Sequence, residues 1–291
     1  YIVTPSFVDP HTHLIFAGSR EHEFFMRNQG ISYLEIAEKG GGITSTVRAT
    51  RNASSEELLV DLLNKLELIN SFGTTHIEIK SGYGLTIKDE IRLLEIIKRA
   101  KQYTNIQIIP TLLAAHEFPL SAKHSQKLKE KYIEQIINEI IPEVKKQNLA
   151  KFFDIFSEKK VYNLDQTKKL LKAAKAHGFK LKLHSDELSN IGATELGVKL
   201  NACSVDHLLK ISNKGLDALA NSNTIAVLLP GTAFYLNEPY PDFKKFETTL
   251  NVASKSPCVS PIITAVLFSQ FCRTKESVIN FSCICNIVCT S

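Results

Sequence analysis

The chain reads as an α/β protein, a (β/α)8 barrel of the TIM type, and three observations predict it. Short apolar strand-like runs alternate with amphipathic helical segments. That alternation completes seven steps by Pro230, and an eighth strand is expected to start near Leu250, a count that favours a closed barrel over an open sheet. Strand after strand ends in histidine or an acidic residue, and in such barrels the C-terminal strand ends share one mouth.

Taken in order, the mostly apolar run Ile2 to Val8 is the first strand and leads into Pro10-His11-Thr12-His13-Leu14. A charge-rich loop, Gly18 to Arg27, precedes a short helical pattern at Tyr33 to Glu38, which Gly40-Gly41-Gly42 breaks. Ser55 to Ser71 sets Leu58, Leu62, Leu66 and Ile69 at helical spacing, capped by Ser54 or Ser55 with Glu57 in the first turn. Thr75 to Lys80 is a strand ending in Ser81-Gly82-Tyr83-Gly84, and a helix follows from Thr86 to Tyr103. Ile106 to Ala114 is an apolar strand that ends at His116. Gln126 to Lys146 is a helix with Pro142 near its end, Phe152 to Phe156 a strand, and Leu164 to His177 a helix closed by Gly178. Lys180 to His184 is a strand, followed by a helix near Ile191 to Val198. Ser204 to Leu208 is strand-like, Lys214 to Ala220 helical, and Thr224 to Leu229 a strand stopped by Pro230-Gly231.

Composition narrows the class. A chain of 291 residues with 44% hydrophobic and 22% charged residues is ordinary for a soluble globular protein. The lysines behind the net charge of +5 sit on helical stretches such as Lys123 to Lys146 and Lys168 to Lys175, a solvated face rather than a nucleic-acid footprint. No apolar run approaches the roughly 18 to 20 residues that span a bilayer, so no membrane partner is expected. Five of six cysteines (Cys258, Cys272, Cys283, Cys285, Cys289) crowd the end and Cys203 stands apart, which is no secreted disulfide framework. A cytoplasmic setting and a small-molecule partner are expected, with a homodimer as the base-rate assembly.

The chemistry begins at His11 and His13. Alternation along a strand sends residues i and i+2 to one face, so both imidazoles converge on one point. Two neutral imidazoles side by side are half of a zinc- or iron-type site. His184 adds a third imidazole at a strand end, with the Glu187 carboxylate three residues later. A metal lowers the pKa of bound water to about 7, and a nearby His or Glu can then move protons during attack on a carbonyl. His207 is either a core histidine paired with Asp206 or a group that moves protons or stabilises an oxyanion close to the reacting water. The fourth strand offers no metal-bridging lysine, so one metal ion is expected.

Phe7-Val8-Asp9-Pro10-His11-Thr12-His13 resembles the opening strand motif of the amidohydrolase superfamily, and the details are similar to the imidazolonepropionase family. The marks are Phe16-Ala17-Gly18-Ser19-Arg20-Glu21, Glu35-Ile36-Ala37 before Gly40-Gly41-Gly42-Ile43, and Lys80-Ser81-Gly82-Tyr83-Gly84-Leu85. They continue through Ala114-Ala115-His116, His184-Ser185-Asp186-Glu187 and Ser204-Val205-Asp206-His207-Leu208. The resemblance runs from about Val3 to Pro241. It implies hydrolysis of the ring amide of 4-imidazolone-5-propanoate to N-formimidoyl-L-glutamate, in histidine degradation. His11, His13 and His184 would hold one zinc or iron ion. Arg20 would grip the substrate's propionate, Tyr83 and His116 would contact substrate, Glu187 would hydrogen-bond the ring, and His207 would help activate water or stabilise the oxyanion.

The sequence departs from the family after the seventh strand. The family completes its metal shell with an Asp on the eighth strand, and the corresponding stretch here is taken as Leu250 to Cys258, which has no Asp. No aspartate follows Asp242 at all. Residues 1–250 are therefore expected to form the barrel, incomplete at its eighth strand, and 251–291 an atypical tail for which an error in the gene model is the economical cause. The family's small β-sandwich domain is expected to be largely missing. The competing readings are another cyclic amidohydrolase or aminohydrolase, and a catalytically inactive truncated isoform.

Overall fold

The computed structural model describes residues 6–31, 35–36, 40–250 and 262–264. Its strands are β1 (Phe7–Asp9), β2 (Thr74–Lys80), β3 (Gln107–Ala115), β4 (Phe152–Ser157), β5 (Lys180–Ser185), β6 (Ser204–His207), β7 (Ile225–Leu228) and β8 (Ile262–Thr264). They pair in parallel and in sequence order, β1 through β8. A flat sheet with strands about 4.8 Å apart would separate β1 from β6 by roughly 24 Å. Instead His11, just past β1, lies 2.6 Å from Asp206 on β6, and the Lys182 ammonium on β5 donates to the Pro10 carbonyl at 3.0 Å. The sheet therefore curls around an axis as the alternation predicts, and among the described residues no rung joins β8 to β1.

Helices cover the outside. After β1 come α1 (Glu21–Asn28), α2 (Ile43–Asn52) and α3 (Ser55–Ser71), and after β2 comes α4 (Ile87–Ala100). Ser54 caps α3 through the Glu57 amide while Glu57 reaches back to the Ser54 amide, the reciprocal box that the sequence suggests. Leu62 and Leu66 of α3 and Leu93, Leu94 and Ile97 of α4 are fully buried, in one core with Ile77 and Ile79 of β2. The predicted helix at 126–146 is α5 (Gln126–Gln135), a π-helical turn Ile136–Ile140, and α6 (Ile141–Lys146). Pro142 has no amide hydrogen to give the preceding turn, and the wider turn absorbs that loss. Then α7 (Leu164–Ala176), α8 (Ala193–Lys199) and α9 (Asn213–Ala220) alternate with β4 to β7.

Two readings change. The charged stretch Gly18 to Arg27 is not all loop, because α1 starts at Glu21; its buried face holds Glu23 and Arg27, so hydrophobic spacing cannot reveal it. Past Pro230 the chain forms α10 (Pro230–Leu236) and α11 (Phe243–Leu250), so Leu250 closes a helix instead of opening the eighth strand, which lies at Ile262–Thr264. Most of the tail at 251–291, with its cysteines, and most of the Tyr33 to Glu38 pattern lie outside the described residues. Among the described residues no helix is long and apolar enough to cross a membrane.

The loop after β2 is tightly specified. The buried Glu90 carboxylate accepts from the amides of Gly82 (3.0 Å), Gly84 (2.8 Å) and Leu85 (2.8 Å). A side chain at Gly84 would start 2.6 Å from the Glu90 amide nitrogen, inside backbone that cannot yield. Gly84→Ala is expected to cost about 1–3 kcal/mol of stability through this overpacking, measured by urea unfolding, and an unchanged midpoint would contradict the tight approach.

Candidate active site

Inward-facing residues of the strands build a charged floor. Lys80, fully buried on β2, donates to Glu78 and Asp154, both at 2.7 Å. Lys182 on β5 lies 3.3 Å from Asp206 and 3.4 Å from Glu78, and Thr111 on β3 donates to Glu78 at 2.5 Å. Two ammonium groups thus face three carboxylates. Burial works against the charged form of Asp154, but His184 and Lys80 outweigh it and hold that carboxyl well below its ordinary range. Burial likewise works to lower Lys182, and the carboxylates of Asp206 and Glu78 instead raise it. Asp206 goes up because burial dominates there, and burial lifts the neighbouring Asp9 to about 7.

Above this floor stand the imidazoles. The register pairs His184 of β5 with Asp206 of β6, one step below the Ser185–His207 pair. His11 Nδ1–H donates to Asp206 at 2.6 Å, which turns the Nε2 lone pair toward the cavity. His11 Nε2 lies 3.2 Å from His13 Nε2, and His13 Nε2 lies 3.1 Å from His184 Nε2. His184 Nδ1 is 3.1 Å from Asp154 Oδ2, though not aligned for a hydrogen bond. Burial holds His11, His13 and His207 well below the ordinary histidine range, and puts His116 at about 3. Neutral imidazoles are the form that binds a metal.

The three nitrogens fit one cation. Ligands at about 2.0–2.1 Å from a shared ion, 90° to 109° apart, sit about 2.9–3.4 Å from each other, which brackets the two observed separations. The surplus carboxylate in the floor supplies the balancing negative charge. Asp206 and Asp154 stand behind His11 and His184 as carboxylates do behind metal-bound histidines. A second group of possible donors, His11, Asp154 and Asp206, overlaps the first and shares its floor.

All eight residues singled out in the sequence line one cavity of about 80 Å³: His11, His13, Arg20, Tyr83, His116, His184, Glu187 and His207. Arg20 lies 3.7 Å from the buried Glu23, and the Tyr235 hydroxyl donates to the Arg20 carbonyl at 3.2 Å. His116 stacks on His13 with ring centres 4.7 Å apart, while its Nδ1 is 3.1 Å from the Gly82 carbonyl oxygen. Gly82 has φ +108°, and a side chain there would start 3.0 Å from that same Nδ1. Glu187 lies 3.4 Å from His207 Nδ1, and burial pushes its carboxyl up to about 8, with Glu158 adding repulsion. Neither ring nitrogen of His207 has a hydrogen-bond partner among the described residues, and its backbone takes a strained φ of +83°.

Asp206 serves His11 rather than its sequence neighbour His207, so the paired-core reading of the Asp206-His207 dipeptide is not what forms. Sequence reasoning also passed over Glu78, Lys80, Asp154, Lys182, Glu90 and Glu158. The signal was there for four of them, since Glu78/Lys80 and Lys182/His184 are spaced i, i+2 in strands and Asp154 interrupts Phe-Phe-x-Ile-Phe.

No family model matches the chain. It is 43% identical over 278 residues to an imidazolonepropionase of Thermoanaerobacter pseudethanolicus, covering 94% of this chain and 66% of that protein. Against an imidazolonepropionase of Treponema denticola the identity is 47% over 253 residues, covering 86% and 60%. The chain spans about 55–66% of the length of the curated relatives it matches. Among solved structures it is similar to an adenine deaminase from Arthrobacter aurescens, with TM-score 0.60 and 12% identity over 90% of this chain and 81% of the other. An amidohydrolase from Burkholderia ambifaria with bound Zn gives TM-score 0.56 and 17% identity over 90% and 74%. These likenesses identify the fold as the amidohydrolase barrel.

If the floor carboxylates act on a metal through the imidazoles, Asp206→Asn and Asp154→Asn are each expected to weaken zinc or cobalt binding about 10- to 100-fold. Competition against a chromophoric chelator measures this, and wild-type affinity in both variants would show that the carboxylates serve packing alone.

Proposed function

The chain belongs to the imidazolonepropionase family, and from that premise we propose that it hydrolyses the ring amide of 4-imidazolone-5-propanoate to N-formimidoyl-L-glutamate. One metal ion, zinc or iron, would be held by His11, His13 and His184. The observation that carries this reading is the meeting of these three imidazoles with Arg20, Tyr83, His116, Glu187 and His207 around a single cavity. A bound ion supplies Lewis acidity that makes water a competent nucleophile at neutral pH.

The chain's own residues divide the remaining work. Arg20 presents a planar fork that suits the propionate carboxylate. The Tyr83 hydroxyl stays protonated, since burial raises it, and is available to hydrogen-bond substrate. Neutral His116, with Nδ1 turned to the Gly82 carbonyl, offers Nε2 as an acceptor. His207 stays neutral, with no hydrogen-bond partner for either ring nitrogen among the described residues, so it can take a proton from the attacking water. Glu187, protonated near neutral pH, can give its proton to the ring nitrogen as the carbon–nitrogen bond breaks. Water thereby contributes the new hydroxyl to the carbonyl carbon, and the proton count balances through His207 and Glu187. Reaction in the cytoplasm on a free small molecule is part of the same proposal.

The test is turnover of synthetic imidazolonepropionate by the metal-loaded chain, followed by formation of formimidoylglutamate. Arg20→Met is expected to raise KM about 10- to 100-fold with a smaller change in kcat, the loss of one charge-assisted pair. A chain that leaves this substrate intact while hydrolysing another cyclic amide would overturn the substrate assignment.

A further inference from the structure

We propose that Glu158, outside the set of residues around the cavity, is a positioning residue that fixes Glu187 by gripping the two residues after it. Glu158 follows β4 directly and is nearly buried. Its Oε2 accepts from the amides of Leu188 at 3.1 Å and Ser189 at 3.0 Å. Its Oε1 accepts from the Ser189 hydroxyl and from the Lys159 amide at 2.8 Å. Its own amide donates to the Tyr162 carbonyl at 3.0 Å, which closes the carboxylate-bearing turn. The segment from Glu187 to Ser189 links β5 to α8, and this grip holds it from the neighbouring strand end.

The grip has an electrostatic consequence. A carboxylate with four donors sits beside a second carboxyl, Glu187, whose contact within the cavity is the neutral ring of His207 at 3.4 Å. The other charged or titratable groups lining the same cavity are Arg20, Tyr83, Tyr235, His11, His13, His116 and His184. Asp186 turns away to the Thr194 hydroxyl at 2.5 Å. Repulsion from Glu158 adds to burial in keeping Glu187 protonated and able to donate. This rests on the reading of Glu187 as the proton donor in hydrolysis.

Glu158→Gln separates the two roles. The amide oxygen can still accept from Leu188 and Ser189, and the amide nitrogen can face the Ser189 hydroxyl, which is free to turn and accept, while the local contact with the Lys159 amide is given up. The like charge is gone. The Glu187 carboxyl, followed by carbon-13 NMR of labelled glutamate and assigned with Glu187→Gln, is expected to titrate about one pH unit lower than in the parent chain. Because the protonated form donates, activity is lost as pH rises through that midpoint, and the alkaline limb of kcat/KM shifts down with it. Glu158→Ala also frees the loop and is expected to raise KM about tenfold beyond the Gln variant, an effect of misplacement. Should it fail to fold, Ser189→Ala, which removes one of the four donors, is expected to raise KM in the same direction.

An unmoved Glu187 midpoint in Glu158→Gln overturns the inference, as does wild-type KM in the loop variants. The NMR midpoint needs no substrate. A shifted midpoint in a chain that leaves imidazolonepropionate intact supports the role of Glu158 and overturns the substrate assignment instead.

Discussion

The 2.6 Å hydrogen bond between His11 and Asp206 closes the sheet's first strand onto its sixth, and the site depends on it. It works only because Asp206 is held in the barrel interior by Lys182, Ser204 and the more distant Lys80. Such a floor is an expensive way to fill a barrel. Taking charges out of water costs several kcal/mol per ion, and branched apolar residues fill most barrels at this level. Leucine or methionine would pack there, but neither could accept from His11 Nδ1. The acceptor sets the tautomer, the tautomer sets which nitrogen faces the cavity, and that decides whether His11 can join His13 and His184 around one cation. Removing one member of the floor would strand its partner, a loss of about 3–5 kcal/mol.

Strand ends were legible from sequence because they are local. Alternation alone puts His11 and His13 on one face, and the apolar run before each polar end marks where the strand stops. The floor was not legible, because Glu78, Lys80, Asp154 and Lys182 acquire meaning only when β2, β4 and β5 turn the same face inward. In an open sheet the Glu78/Lys80 pattern is an ordinary solvated edge. Helices failed for a related reason. Helix α1 buries Glu23 and Arg27, and α2 buries Thr46 and Thr50 beside Ile43 and Val47, so neither shows the apolar stripe that betrays a helix. In both places the interior is polar, and hydrophobic periodicity reports only apolar interiors.

Two buried carboxylates meet different fates in this mouth because their partners differ. Asp154 faces His184 and Lys80, and these two partners outweigh the cost of burial and hold its carboxyl low. Glu187 meets burial and Glu158 and gains a proton. One fold thereby keeps an acceptor beneath the imidazoles and a donor above them, separated by the length of a strand end. Glu90 shows a third solution, in which three backbone amides surround a buried carboxyl and the loop carrying Tyr83 is fixed in return.

The eighth strand, Ile262–Thr264, supplies no carboxylate to the site. Its backbone pairs with β7 through Ile262, Ile263 and Thr264, none of which is an acid, and no aspartate follows Asp242. A metal held by three neutral imidazoles brings no anionic ligand to offset its charge. The remaining negative charge nearby, among the described residues, is the floor: Asp206 and Asp154 behind two of the imidazoles, with Glu78 beyond. Those carboxylates can hold the ion electrostatically, but their contacts with Lys80 and Lys182 keep them beneath the rings. Under the proposed function, metal affinity would fall on the His11–Asp206 hydrogen bond and the His184–Asp154 contact, whereas proton transfer would fall on His207 and Glu187. On that proposal the two tasks would rest on separate residues, so metal binding and turnover would be separable.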